Sequence, residues 1–349
     1  SIADYFRING ALLKPRSRKR PETQVKEMVK QAERLGMRMM IDLVVNHSAV
    51  DAKLVTDRPE WFLRDGGGVA NPFCVEEDGT KVVWRDLAQF DHRHSSDSEG
   101  LLRYCGDIVE YLIGLGFTGF RCDAAYQIPL TFWQRLIERI RRAHPETVFV
   151  AETLGCTQEQ TRQTASAGFD AIYNSSKWWD FSSPWLLEQY ELTRQIVPSI
   201  SFPESHDTAR LFAESDGNLD VLKQRYLFAA LFSAGVMMPI GYEFGFRTPL
   251  HVVNTRPEHW EAPAVDITDF VARVNRIKTE HALFREESLI QHLEHPNPGL
   301  LLLWKASANG SGQALLVLNK DPWNRQHFRC EDLYRLVQAP PPLVDVSPE

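Results

Sequence analysis

Short apolar segments alternate with amphipathic segments of helical period along most of the chain, and this alternation restricts the fold more than any other feature. Residues Pro21–Leu35 place apolar side chains on one helical face, and the nearly continuous apolar run Met37–Val45 follows. Such runs are typical of strands that are buried on both faces of a parallel sheet. Serial βα units predict an α/β fold with a parallel sheet, either open or closed into a barrel.

The same unit recurs downstream. We predict further helices over segments with an apolar stripe, which are Leu101–Leu115, Leu130–Arg142, Gln158–Ala167, Val221–Ala234 and Asp266–Lys278. We predict further strands over the apolar segments between them, which are Gly119–Ala125, Thr147–Thr153, Phe169–Tyr173, Pro198–Pro203 and Val236–Tyr242. The pattern changes near Glu287, where the short segments Leu300–Lys305 and Ala314–Asn319 predict a small all-β region.

Residues 48–97 interrupt the alternation with a polar segment that contains three consecutive glycines, Gly66 to Gly68. A long insertion after a strand is typical of barrel enzymes, which build their sites from the loops at the carboxyl ends of the strands. No G-x-G-x-x-G sequence follows the first predicted strand, and this disfavours a dinucleotide-binding sheet.

Composition excludes several functional classes. The 349 residues carry a formal net charge of −7, so the chain lacks the basic surface of a nucleic-acid or anionic-membrane binder. Its longest apolar stretch, Leu227–Ile240, is shorter than the ~20 residues of a membrane span. Five cysteines without a C-x-x-C pair fit a reducing compartment, and we predict a cytoplasmic protein with no nucleic-acid or membrane partner. The oligomeric state stays open.

Charged and polar residues follow four of the predicted strands. The four segments are Asp42–His47, Gly119–Ala124, Val150–Thr153 and Phe202–Asp207. An acid after one strand can simply be a cap or a loop residue. In a barrel, however, all four segments would lie on the same face, because the carboxyl ends of the strands converge there. Four such ends therefore predict a shared site.

At these four strand ends the sequence reads DLVVNH, GFRCDA, VFVAE (Val148–Glu152) and FPESHD, and in this order the four motifs resemble the conserved regions of the α-amylase family of retaining α-glucosidases and transglycosylases. The resemblance extends from Ser1 to about Phe284. It implies a (β/α)8 TIM-type barrel over residues 1–286, with the insertion at 48–97, followed by a small and incomplete β domain over 287–349. Only Ser1–Met40 precede the first motif, so we expect the barrel to lack its first two strands in this chain.

The resemblance also assigns roles. Asp123 matches the catalytic nucleophile, Glu152 the general acid/base, and Asp207 the third acid, which binds sugar hydroxyls and stabilises the transition state. The other matched residues are Arg121, which keeps the nucleophile ionised; His47 and His206, which hydrogen-bond the sugar; Asp42 and Asn46, which are structural; and Tyr126 on the acceptor side.

These residue types suit the implied chemistry. Retaining glycosidases use one carboxylate as nucleophile and a second, protonated carboxyl as the acid that assists the leaving oxygen. Arg121 and Asp123 alternate on one strand, so their side chains point to the same face. A purely structural ion pair is the alternative for these two residues. Zinc ligation is disfavoured, because the chain has no H-x-H or H-E-x-x-H spacing.

The resemblance leaves the reaction partners open. Tyr126 and Gln127 stand where many family members have Lys-His, so acceptor preference and a structural calcium ion both stay undecided, and the chemistry itself requires no cofactor. We predict hydrolysis of, or transfer to, α-1,4-glucans or maltooligosaccharides. The segments Pro129–Trp133, Gly241–Glu243 and Trp260–Pro263 resemble bacterial maltose-1-phosphate maltosyltransferases. Transfer from a phosphorylated maltosyl donor is therefore one alternative, and a catalytically silent binding scaffold is another.

Overall fold

The computed structural model describes residues 2–75, 80–251, 254–310, 312–337 and 342–348. The chain divides into two compact units, Ser1–Ile172 and Tyr173–Glu349. The predicted division at residues 286 and 287 follows sequence pattern rather than packing, and it stays a prediction.

The described residues of the first unit form five α-helices and ten strands, and the last of these strands ends at the first residue of the second unit. The helices are α1 (Pro21–Arg34), α2 (Lys53–Asp57), α3 (Ser98–Gly114), α4 (Leu130–Ala143) and α5 (Gln158–Ala165). The strands are β1 (Met40–Leu43), β2 (His47–Ala49), β3 (Arg64–Asp65), β4 (Gly68–Val69), β5 (Phe73–Val75), β6 (Lys81–Val83), β7 (Leu87–Gln89), β8 (Gly119–Cys122), β9 (Val148–Ala151) and β10 (Ala171–Tyr173).

Four of these strands pair in parallel, in the order β1, β8, β9 and β10. The strands are short and apolar, and side chains such as Leu43, Phe120 and Phe149 are completely or almost completely buried. Helices α3, α4 and α5 alternate with these strands along the chain. The βα alternation predicted for this unit is confirmed, and the register brings the carboxyl ends of β1, β8 and β9 to one edge.

Local chemistry explains where the helices begin. The side chain of Asp97 accepts a hydrogen bond from Gly100 N at 3.0 Å, which caps α3. Thr157 and Gln160 form a reciprocal capping box at the start of α5. Helix α1 begins with Pro21, whose fixed φ suits the first helical position and whose missing N–H is not needed there.

The predicted insertion forms short antiparallel ladders rather than βα units. Strand β2 pairs with β7, β3 with β4, and β5 with β6. Residues 76–79 of this region lie outside the described part of the chain. The register of β2 against β7 places His47 opposite Gln89, so the ladder fixes the segment that directly follows the first motif.

In the second unit, the part of the chain that the structure describes forms a parallel strand pair, five α-helices and a separate antiparallel sheet. The helices are α6 (Trp185–Thr193), α7 (Leu211–Glu214), α8 (Leu219–Phe232), α9 (Thr268–Glu280) and α10 (Leu333–Val337). The parallel strands are β11 (Ser199–Ser201) and β12 (Gly235–Val236), and the antiparallel sheet is formed by β13 (Leu289–Leu293), β14 (Leu300–Ala306) and β15 (Gln313–Asn319).

The antiparallel sheet packs in one hydrophobic core with helix α8. Phe228 and Phe232 of the helix share this core with Leu301 and Leu316 of the sheet. Lys305 of β14 is completely buried and donates hydrogen bonds to Leu231 O at 2.9 Å and Phe232 O at 2.7 Å. The last carbonyls of a helix have no intrahelical donor, so this lysine satisfies two of them. Burial lowers the pKa of Lys305 to about 7.

Three details differ from the sequence-based expectation. The predicted strand Val236–Tyr242 ends at Val236, because Pro239 cannot donate to a ladder and Gly241 adopts φ +86. Helix α6 was not predicted, because the consecutive apolar residues Trp185, Leu186 and Leu187 do not form a helical stripe. Strand β13 was not predicted either. Its residues are largely exposed, and the fully buried residue Ser288 lies before the strand rather than in it.

Among the described residues, we find no helix that is both long and apolar enough to cross a membrane.

Candidate active site

Asp123 and Glu152 stand one residue beyond the ends of two neighbouring parallel strands. Asp123 N donates to Leu43 O at 3.1 Å, and Glu152 N donates to Cys122 O at 3.0 Å. The ladder therefore continues to these residues and fixes their backbones. Cys122 and Ala151 are paired across the two strands. The two acids directly follow these paired residues, so they lie at the same edge of the sheet.

A single guanidinium contacts both acids. Arg121 Nη1 lies 2.6 Å from Asp123 Oδ1, and its Nη2 lies 2.8 Å from Glu152 Oε1. Nη1 is also 3.5 Å from Oδ1 of Asp42, the residue directly opposite Arg121 in the ladder. The Arg121 side chain is only 10% exposed. A buried charge is tolerated only when it is paired, and three carboxylates pair this one.

The electrostatics of Arg121 follow from these contacts. Burial alone lowers the pKa of its guanidinium, but the negative charges of Glu152, Asp42 and Asp123 raise that pKa by more than burial lowers it. Arg121 is therefore positively charged at every pH at which the protein folds. The ion pair predicted between Arg121 and Asp123 is observed, and the contact with Glu152 is an addition that the sequence did not predict.

The backbone directly after Asp123 is strained. Ala124 adopts the left-handed conformation, with φ 43° and ψ 41°, which costs a non-glycine residue about 1–2 kcal/mol. In this conformation Ala124 N donates to Glu152 Oε2 at 2.7 Å. The carboxyl of Glu152 is thus held between a backbone N–H and the guanidinium. Strain of this kind is concentrated at functional sites, where the surrounding structure maintains it.

Asn46 anchors the short 3-10 turn Ala125–Gln127 that follows the strained residue. Asn46 is almost completely buried, and its Nδ2 donates to Gln127 Oε1 at 2.8 Å. Gln127 Nε2 in turn donates to the hydroxyl of Tyr126 at 3.3 Å. This hydrogen bond to Gln127 is the structural contact that Asn46 makes here. A substrate contact by Tyr126 stays a prediction.

His47 lies at the start of β2. Its carbonyl accepts a hydrogen bond from the hydroxyl of Tyr5 at 2.7 Å. Within the described chain, its buried ring Nδ1 has no hydrogen-bond partner. Burial lowers the pKa of His47, while the negative charge of Asp123 opposes that shift. Burial therefore favours the neutral form of the His47 ring, and the sugar contact predicted for it stays a prediction.

His92 is a further histidine at this end of the first unit, and sequence reasoning missed it. Its Nε2 lies 2.7 Å from Val45 O, one residue before Asn46. Its ring contacts the ring of Phe132 with centroids 4.3 Å apart. Burial lowers the pKa of His92 to about 4. No motif surrounds it, so only its place near the end of the insertion could have drawn attention to it.

The lowered pKa of His92 predicts a pH effect on stability. The ring resists protonation in the folded state and accepts a proton near pH 6.5 when unfolded, so its contribution to stability is present above pH 6.5 and is lost as the pH falls toward about 4. As the pH falls over this range, the free energy of unfolding should fall less steeply in His92→Gln than in the wild type. The difference between the two slopes should approach the value for one bound proton. Denaturant titrations of both proteins at several pH values measure this difference, and equal slopes would contradict the buried neutral ring.

The fourth motif lies in the second unit and follows β11. His206 Nε2 is 3.0 Å from Asp207 Oδ2, and the Asp207 side chain is 55% exposed. Glu204 and Arg210 form a buried ion pair at 2.8 Å that holds the ends of this turn together. Sequence reasoning did not identify Glu204 or Arg210. The expected meeting of His206 and Asp207 with Asp123 and Glu152 stays a prediction.

No cluster of three or more His, Cys, Asp or Glu side chains in the described ranges is arranged to hold a metal ion.

Known proteins resemble this chain in sequence and, separately, in fold. No protein-family model matches the chain. The α-1,4-glucan:maltose-1-phosphate maltosyltransferase of Burkholderia pseudomallei is 24% identical over 299 residues, which are 82% of this chain and 26% of that protein. The protein of the same name from Salinibacter ruber is 26% identical over 334 residues, which are 87% of this chain and 46% of that protein. The chain thus spans between a quarter and a half of these relatives.

Solved structures give the fold. A noncanonic maltogenic α-amylase from Thermotoga neapolitana superimposes with a TM-score of 0.70 at 23% identity, covering 92% of this chain and 72% of that one. An α-amylase from H. orenii gives a TM-score of 0.70 at 14% identity, covering 91% and 76%. The predicted α-amylase barrel fold is confirmed. The likeness to maltosyltransferases that three segments indicated is also confirmed, since the curated relatives carry that name.

Proposed function

We propose that this chain is a retaining enzyme that acts on α-1,4-glucans through a covalent glycosyl-enzyme intermediate. The observation that carries the proposal is the guanidinium of Arg121, which contacts Asp123 at 2.6 Å and Glu152 at 2.8 Å on adjacent strand ends. Two carboxyls that share one guanidinium are close enough to act on the same anomeric carbon. Retention uses about 5–5.5 Å between the two carboxyls and inversion about 6.5–9.5 Å, and we propose retention for two carboxyls that both bind one guanidinium.

In the proposed first step, an oxygen of Asp123 attacks the anomeric carbon while Glu152 gives its proton to the leaving glycosidic oxygen. The bond from carbon to the leaving oxygen breaks as the bond to Asp123 forms. In the second step, Glu152 takes a proton from water or a sugar hydroxyl, whose oxygen attacks the same carbon and releases Asp123. Asp123, Glu152 and the attacking water or sugar hydroxyl together account for every bond and proton in these two steps, so we propose that no cofactor takes part. A structural calcium ion stays an open part of the proposal.

The remaining residues are proposed to bind the sugar. Asp207 would accept hydrogen bonds from sugar hydroxyls, and His206, held 3.0 Å from it, would do the same for a neighbouring hydroxyl. His47, whose ring is influenced by the charge of Asp123, is proposed to contact the same sugar ring. Tyr126, on the turn after Asp123, is proposed to face the acceptor.

Transfer and hydrolysis share the intermediate, and the relatives' names favour transfer from maltose 1-phosphate as the second candidate. Product analysis decides between them. The protein is incubated with maltose, maltotriose or maltose 1-phosphate, each with and without phosphate, and the products are separated by chain length. Shorter sugars alone indicate hydrolysis, longer glucans from maltotriose indicate transfer between glucans, and longer glucans only from maltose 1-phosphate indicate the phosphorylated donor.

Inactivity on all of these sugars would favour the third candidate, a binding scaffold. The presence of Arg121, Asp123, Glu152 and Asp207 argues for an enzyme, because a scaffold has no need of a paired nucleophile and acid. We also propose a cytoplasmic location. The four cysteines whose side chains are described, Cys105, Cys122, Cys156 and Cys330, are unpaired, which suits a reducing compartment.

A further inference from the structure

Helix α4 begins in a segment that none of the proposed steps uses. This segment, Pro129–Trp133, is one of the three that resemble the maltosyltransferases. Along the chain it comes after strand β8 and the 3-10 turn Ala125–Gln127, and its two aromatic side chains, Phe132 and Trp133, are buried. Buried aromatic residues on a helix are usually ordinary core. Here, however, a polar atom of Trp133 reaches the backbone beside the nucleophile.

Trp133 anchors the chain on the far side of the strained residue Ala124. The Trp133 side chain is completely buried, and its Nε1 donates to Ala125 O at 3.0 Å. On the near side, the backbone of Asp123 is fixed by the hydrogen bond from its N–H to Leu43 O. Ala124 therefore stands between two anchored residues. Such anchors can maintain a left-handed conformation in a residue that has a Cβ.

The same segment of α4 also supports the other end of the turn. The ring of Phe132 contacts the ring of His92 with centroids 4.3 Å apart, and His92 Nε2 lies 2.7 Å from Val45 O. The residue after Val45, Asn46, donates to Gln127 Oε1 at 2.8 Å. Neighbouring side chains of α4 therefore brace both ends of the turn, one by a direct hydrogen bond and one through the histidine.

The strained conformation of Ala124 directs its N–H at the general acid. Ala124 N donates to Glu152 Oε2 at 2.7 Å, while Arg121 Nη2 lies 2.8 Å from Glu152 Oε1. With one donor on each oxygen, the plane of the carboxyl is set. A general acid is effective only when its proton is aimed at the leaving oxygen, and small misplacements cost much of the rate. If Ala124 relaxed, the carboxyl would lose one of these donors.

We propose that Trp133 is a positioning residue for the general acid Glu152. It acts through its hydrogen bond to Ala125 O, which keeps the N–H of Ala124 on the Glu152 carboxyl. The inference rests on the proposed function for the role of Glu152. It makes the effect of Trp133 specific to one step, because loss of the indole N–H impairs proton donation and leaves the attack of Asp123 intact. A tryptophan with only a packing role would affect both alike.

The test replaces Trp133 by 3-benzothienylalanine, which keeps the bicyclic ring and has sulfur in place of the N–H group. Two substrates separate the steps, because maltotriose needs a proton on its leaving oxygen and α-maltosyl fluoride does not. We expect turnover of maltotriose to fall roughly tenfold, which is part of the ~10²–10⁴-fold that a positioned acid supplies. Fluoride release in the first turnover should match that of the wild type.

Trp179 is the matched control for this replacement. It is also a buried tryptophan, at 1% exposed, and its Nε1 also donates to a backbone carbonyl, Ser183 O at 2.7 Å, but it packs in the core around Phe228. The same replacement at Trp179 should leave both rates unchanged. Hydrogen exchange follows the contact itself without turnover. The Ala124 amide should exchange faster in the Trp133 variant than in the wild type or the Trp179 variant.

The outcomes separate this inference from the proposed function. An equal fall in both rates, no fall in either, or unchanged exchange of the Ala124 amide would overturn the positioning role of Trp133 alone. Glu152→Gln is measured beside the Trp133 variant. If Glu152→Gln does not lose maltotriose turnover while it keeps fluoride release, or if the wild type uses neither substrate, both proposals are overturned. Unchanged thermal unfolding shows that the fold is intact. Should the benzothienyl protein not fold, Trp133→Phe, which also lacks the N–H, is compared with Trp179→Phe in the same assays.

Discussion

We expect Asp123→Asn and Glu152→Gln each to lower kcat on maltotriose by roughly three orders of magnitude or more, and neither to change the free energy of unfolding by more than about 1 kcal/mol. Asn keeps an oxygen for the guanidinium of Arg121 but cannot form the bond to the anomeric carbon. Gln keeps an oxygen for Ala124 N but cannot donate a proton to the leaving group. Initial rates and denaturant titrations of the two variants measure both quantities.

Asp107→Asn is the matched control for these variants. Asp107 is also an aspartate paired with an arginine, at 2.8 Å from Arg139, but it lies on α3 and is 56% exposed. Its replacement should leave kcat unchanged. An α-glucosyl fluoride distinguishes the two roles further, because its leaving group needs no proton. Fluoride release should be nearly normal in the first turnover of Glu152→Gln and absent in Asp123→Asn. Near wild-type kcat in Asp123→Asn would end its assignment as the nucleophile.

Loss of the Arg121 charge is the second large effect. Arg121→Met leaves the Asp123 and Glu152 carboxylates beside each other without their shared cation, and we expect it to lower the free energy of unfolding by about 3 kcal/mol and to abolish turnover. Arg121→Lys keeps the charge but cannot reach both carboxylates with a planar fork, so it should recover most of the stability and little of the activity.

Arg139→Met is the control for the stability effect. Arg139 also bridges two carboxylates, Asp107 at 2.8 Å and Glu110 at 3.2 Å, but it does so on an exposed helix surface. Exposed pairs are worth about 1 kcal/mol or less. If Arg121→Met were no more destabilising than Arg139→Met, the buried bridge would not be the feature that organises the site.

The sequence pattern was sufficient to place helices with one clear apolar face and strands that are apolar on one or both faces. Helices such as α4, whose buried residues include Trp133 and Ile140, and strands such as β8 were placed within a few residues. It was insufficient where packing partners decide the structure. Helix α6 has no stripe of its own and is held by the core that also contains Phe228 and Leu301.

The site shows the same limit. Period-two alternation on β8 was enough to place Arg121 beside Asp123, because both residues belong to one strand. The contact between Arg121 and Glu152 depends on the register of β8 against β9, and the strained conformation of Ala124 depends on the turn that Asn46 anchors. Neither register nor turn conformation is encoded in a local pattern, so these contacts and the burial of His92 were visible only in the structure.

Intact-protein mass spectrometry tests directly whether Asp123 forms a covalent bond with the sugar. Glu152→Gln is incubated with α-maltosyl fluoride, which can form the intermediate without an acid but resolves it slowly without a base. We expect a mass increase of one maltosyl group, located by peptide mapping on Asp123 and absent from the double variant with Asp123→Asn. Release of fluoride with no adduct, or an adduct on a different residue, would contradict it.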